Sequence, residues 1–138
     1  MRCAIASWLL LLVGACDAST ETRPLPPSKL RAVATTPLTL ELQLEGQRHL
    51  RGFQVTLDYD PAAVQILHAE PGPDAQWLDT VRTGGPAGHT VLLVSDTRQI
   101  SLPRAGSIVR VMFSGNGHIA LSHPLAADHS GAAPLEVP

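Results

Sequence analysis

The sequence predicts an all-β chain folded as a single antiparallel β-sandwich of about eight or nine short strands. Apolar residues recur at every second position through several stretches, the period of a strand with one buried face. Glycine, proline, asparagine and aspartate return as turn signals roughly every ten residues, and no stretch carries a convincing helical period.

The elements follow in chain order. In "PLTLELQLEG" (37–46), Leu38, Leu40, Leu42 and Leu44 alternate with Thr39, Glu41, Gln43 and Glu45, which predicts a half-buried strand. "GFQVTLDYD" (52–60) repeats the pattern, with Phe53, Val55, Leu57 and Tyr59 on the core phase and Gln54, Thr56, Asp58 and Asp60 outward. Pro61 lacks a ladder donor and ends that strand, and the chain is expected to restart near Val64.

"HTVLLVSD" (89–96) is apolar on both phases and predicts a central strand. "SIVRVMFSGNGHIALS" (107–122) predicts two strands joined as a tight hairpin at Gly115, Asn116 and Gly117, where positive φ is available. "PLAADHSGAAPLEV" (124–137) adds two short strands about a turn at Gly131. A sandwich over 29–138 is large enough to bury a core without covalent staples.

Ahead of it, Arg2, an apolar run from Ala4 to Val13 and small residues up to Cys16 have the layout of a secretory signal over 1–15. The run is too short to cross a bilayer as a mature helix, which needs about twenty residues. "LVGAC" (12–16) resembles the lipobox of bacterial lipoproteins. That resemblance implies a diacylglycerol on the thiol of Cys16 and cleavage before it, so that Cys16 becomes the new N-terminus; such an anchor holds stably with two or more acyl chains. Cys3 leaves with the signal, so Cys16 has no disulfide partner.

Residues 16–28 then read as the lipidated cysteine and a proline-rich tether. In extended geometry it would hold the domain roughly 30 to 40 Å from the lipid. Asp17, by resemblance to enteric lipoproteins, slightly favours the periplasmic face of the inner membrane over the outer membrane or cell surface. With Arg2 removed, nine basic residues face twelve acidic ones, which gives no electrostatic reason to expect nucleic acid.

The segment "GFQVTLDYDPAAVQILHAEPG" (52–72), followed by "TVLLVSDT" (90–97), "LPRAGSIVRVMF" (102–113) and "IALSHPLAADHSG" (119–131), resembles the cohesin family, the bacterial β-sandwiches that receive dockerin modules. Tyr59, Asp60 and Pro61 are the most specific part of the match. The resemblance implies a cohesin-like jelly roll that binds a protein partner on a sheet face, without catalysis. A dockerin-like partner would bring calcium in its own loops. The candidate partner-binding residues are Gln54, Thr56 and Asp58, joined by Asp96 and Arg98. The chain departs from the family at Gly52 and Gln54, where polar and acidic contacts would fall.

Other chemistries are less well equipped. Asp58 and Asp60 lie about 7 Å apart along a strand, but an aspartate before proline is expected to accept bonds from its own turn. Ser95 would need a histidine base and an orienting acid, for which His89 and Asp96 are only near in sequence. The histidines at 49, 68, 89, 118, 123 and 129 include no close ligand pair, although His118, His123 and His129 would meet if the last strands paired. No enzyme activity, metal or cofactor is therefore expected. Trp77 is the one candidate platform for a carbohydrate, with a role as a lid on the sandwich edge as the plainer reading. A third possibility is a structural accessory lipoprotein of an envelope secretion or pilus machine.

Overall fold

The computed structural model describes residues 25–138; the signal segment, Cys16 and most of the tether lie outside the described residues. Ten strands follow one another: β1 (Ser28–Thr36), β2 (Thr39–Glu45), β3 (Gly52–Tyr59), β4 (Val64–Pro71), β5 (Thr80–Gly84), β6 (His89–Ser95), β7 (Ala105–Gly115), β8 (Ile119–Asp128), β9 (Gly131–Ala133) and β10 (Leu135–Glu136). They form two five-stranded sheets, β10-β1-β2-β7-β4 and β5-β6-β3-β8-β9. The described residues are all-β, and the two sheets pack as a sandwich.

The alternation places the core as expected on β2 and β3: Leu40, Leu42 and Leu44 are buried, as are Phe53, Val55 and Leu57. Leu92 and Val94 of β6 and Val109 and Val111 of β7 join them, together with Leu50 and Leu102 from the connections. Each large apolar side chain so buried stabilises the fold by about 1.5–3 kcal/mol relative to leaving it in water. On β7 a bulge opposite Leu42 and Gln43 turns both Ile108 and Val109 into the interior.

Several expectations change. Two strands, β1 and β5, carry no clear alternation and bring the total to ten. Leu38 lies outside β2, in the β1–β2 turn, and is half exposed. The hairpin predicted at Gly115–Gly117 is not one, because β7 and β8 belong to opposite sheets and the segment is a corner between them. Gly115 has φ 102° there and sits against the Ala63 carbonyl, where a side chain would collide. Finally, "IALSHPLAAD" is one strand, β8, carried past Pro124 by a bulge. Gln54 pairs with Leu125 and Thr56 with Ser122, so His123 and Pro124 together oppose Val55. His123 takes φ 50°, and Pro124 sits where the ladder is interrupted.

The turn at Gly131 does join β8 and β9, with Asp128 paired to Gly131 and φ 123° at the glycine. The sandwich is otherwise antiparallel, except that β10 crosses over and pairs with β1 in parallel.

Candidate functional site

β3 lies in the middle of the β5-β6-β3-β8-β9 sheet, so its outward residues stand at the centre of that sheet's open face. The register lines them up in rows across the strands. Arg82, Leu93, Gln54 and Leu125 form one row, Val91, Thr56 and Ser122 the next, and His89, Asp58 and Ala120 the third. At neighbouring-strand spacings near 4.8 Å, Leu93 and Leu125 stand about 10 Å apart on either side of Gln54. Both are exposed, at 40% and 63%.

Beyond that row Gly52 faces Ser95 and Ala127, at the floor of a shallow depression of about 430 Å³ bordered by Leu93, Leu125 and Arg51. The glycine has a structural cause as well, since a Cβ there would lie 2.6 Å from the Val94 carbonyl oxygen. The departure noted at Gly52 thus reflects a close approach of β6 and at the same time shapes the surface.

Asp58 is held in place on this face. His89 Nδ1 lies 2.8 Å from Asp58 Oδ1, and the Ser122 hydroxyl donates to Oδ2. These bonds, the serine first and the histidine second, hold the Asp58 carboxyl below its ordinary range. The His123 ring approaches the same hydroxyl at 3.0 Å. A serine hydroxyl has one proton, and Asp58 takes it. The contact to His123 then closes with the ring as donor, so neither histidine is placed to withdraw a proton from Ser122.

Asp96 differs from the surface residue expected, whereas Arg98 stays half exposed. Asp96 falls on the inward phase of its strand and its side chain is fully buried. It accepts from the Arg98 backbone N–H at 2.8 Å, from Nε at 3.0 Å and from Nη2 at 2.6 Å. The guanidinium bond, foremost, keeps the carboxyl ionised below its usual range, and Asp96 in turn raises the affinity of Arg98 for its proton. Arg98 also donates to the Trp77 carbonyl at 2.6 Å, which ties the Trp77 loop to the end of β6. Asp96 therefore holds Arg98 from within and offers no carboxylate of its own to a partner.

The fold also fixes where the remaining acidic, serine and histidine positions fall. Ser95 and His89 lie at opposite ends of β6, about 20 Å apart at strand spacing, and Asp96 turns away from both. Asp60 caps its own turn, accepting from the Ala62 backbone at 2.9 Å. His118, His123 and His129 are strung along β8 from one end to the other, and among the described residues no three His, Cys, Asp or Glu side chains gather in a metal-binding group. Trp77 is partly exposed, at 37%.

Against solved structures, the sandwich superposes on cohesins along most of its length. The non-cellulosomal cohesin of the archaeon Archaeoglobus fulgidus matches with a TM-score of 0.67 at 11% identity, over 81% of this chain and 86% of that one. The fold is the cohesin fold. The sixth cohesin of scaffoldin B from Acetivibrio cellulolyticus, solved in complex with a Cel5 dockerin, matches at 0.68 and 13% identity over 82% and 95% of the two chains. A type I cohesin–dockerin complex from Clostridium thermocellum matches at 0.65 and 14% over 86% and 94%. No protein-family model and no curated protein matches the sequence. The cohesin-like domain thus keeps the fold with a largely different set of residues.

The exposed pair Leu93 and Leu125 was not singled out in the sequence. Leu93 was hidden in a strand apolar on both phases, and Leu125 lies beyond the bulge that sets the phase of β8.

Proposed function

We propose that this chain is a non-catalytic protein-binding module, carried on a bacterial cell envelope by lipidated Cys16 and its tether, that receives its partner on the outward face of the β5-β6-β3-β8-β9 sheet. The observation that carries the reading is the apolar pair Leu93 and Leu125 standing exposed at the centre of that face, on either side of Gln54. Exposed apolar residues around a small depression, rimmed by polar groups, are the makings of a protein interface with a few central contacts. The cohesin fold supports a protein as the occupant, since two of the matched cohesins were solved with dockerins. Gln54, Thr56 and Asp58 supply the polar surroundings, and Arg98 acts from the edge.

The test is affinity capture from native envelope extract with the full chain, with calcium or with a chelator, in parallel with Leu93→Asp and Leu125→Asp. A protein retained by the native chain and lost by both variants supports the face. Dependence on calcium marks a dockerin-type partner, and indifference to the chelator a subunit of an envelope machine. Retention unchanged by both variants refutes the face. For the anchor, Cys16→Ser is expected to move the protein from the membrane fraction to the soluble one.

A further inference from the structure

The depression beside Gly52 has a charge character that the chain as a whole lacks. The sequence carries a formal net charge of −2, yet the groups around this end of the face are guanidinium-rich. Arg82 extends from the exposed edge strand β5 in the same row as Leu93, and Arg51 borders the depression directly. The carboxylates nearby are turned to donors of their own chain: Asp96 to Arg98, Asp79 to Thr97 and Thr80, and Asp128 to Arg48 and Ser130.

Arg51 has unused donors. Its Nη1 donates to Gln99 Oε1 at 2.6 Å and its Nε is enclosed, so the donor left for a partner is Nη2, which makes no hydrogen bond among the described residues. A guanidinium presents five N–H donors in a fixed fork that fits a carboxylate, and one left short of acceptors is poorly satisfied. An apolar hollow beside such a group is complementary to an apolar side chain with a carboxylate next to it.

Resting on the docking face described above, we propose that the depression receives an apolar side chain of a protein partner, flanked by aspartate or glutamate that pairs with Arg51 and Arg82. The apolar side chain fills the depression beside Gly52, next to Leu93 and Leu125, and the acidic neighbours meet the guanidinium rim. Lysine or arginine beside the anchor would meet like charge there, so the rim selects among partners as well as attracting them.

The experiment titrates the ¹⁵N-labelled full chain with short acetylated and amidated peptides that carry one leucine flanked on both sides by glutamate, by glutamine or by lysine, at concentrations up to millimolar. The glutamate peptide is expected to shift the amide signals of Gly52, Leu93, Leu125 and Ala127. It should bind about two- to fivefold more tightly than the glutamine peptide, the range of one rim ion pair, and the lysine peptide should bind most weakly. Arg51→Gln should remove the preference; should that variant fail to fold, Arg82→Gln, on an exposed edge position, should reduce it.

Equal binding of the three peptides, a preference for lysine, signal shifts confined to other surfaces, or no shift with the glutamate peptide overturns the proposal. Its failure is separable from that of the docking face. If Leu93→Asp and Leu125→Asp abolish capture of the native partner while the peptides show no acidic preference, the face stands and the charge selection falls; capture that survives both variants removes both readings.

Discussion

Asp96 and Arg98, two residues apart, close a compact ring at the end of β6 in which Arg98 Nη2 reaches Asp96 Oδ2 at 2.6 Å while the same nitrogen holds the Trp77 carbonyl. The carboxylate is buried and the guanidinium half exposed, so the arginine serves as the bridge between an interior anion and a surface loop. Arg98→Ala is expected to strand the buried carboxylate and to release the Trp77 loop. The urea midpoint should fall clearly below that of an Arg104→Ala control, with a rise in Trp77 solvent quenching. An unchanged midpoint would show that the ring is decorative.

Acid stability follows from four aspartates. Ser130 bonds, and then Arg48, pull Asp128 down to about 2 from its ordinary 3.8, and Asp58, Asp79 and Asp96 are also held below that value. A carboxyl depressed in the folded state stabilises it fully above the unfolded value and loses that contribution as pH falls through the folded one. The thermal midpoint should therefore decline from just above pH 3.8 toward pH 2, the window set by Asp128. Asp128→Asn should lower the midpoint at neutral pH and flatten the decline, as followed by circular dichroism.

Two glycines with positive φ separate strain from collision. Gly115 (φ 102°) faces the Ala63 carbonyl, whereas a Cβ on Gly131 (φ 123°) meets nothing within 4 Å. Gly131→Ala should cost on the order of 1–3 kcal/mol, the usual backbone strain. Gly115→Ala should cost more, because β4 and the β7–β8 corner must also move apart. Equal losses in denaturant titrations would show that the corner yields freely.

On the open face, Leu125→Asp should leave stability within about 0.5 kcal/mol, as for an exposed position away from the core. Capture of the native partner should fall at least about tenfold, the effect of a central interface residue. Leu57→Ala, on the buried phase of β3, should do the reverse in kind: a loss of about 2–5 kcal/mol of stability, with capture reduced only as far as the fold itself is lost.

Much of the fold was legible because its signal is local. Period-two alternation set the inward residues of β2 and β3, and Pro61 ended β3 where its missing donor required. Asp60 before proline capped its own turn. β1 and β5 were not legible, since "SKLRAVATT" and "TVRTG" have little alternation and become strands by pairing with β2 and β6.

By itself the sequence determined an all-β chain and the face of β3 that turns outward. Only the tertiary structure decided which strands share a sheet, because pairing partners lie far apart in sequence and a glycine-rich turn serves a hairpin or a sheet-to-sheet corner equally well. It also decided the surface. The bulge at His123 and Pro124 shifts the phase of β8 and brings Leu125 into line with Gln54 and Leu93, while the inward turn at Asp96 converts an expected surface acid into the buried anchor of Arg98. A side chain's neighbours across strands depend on register, and register belongs to the assembled sheet.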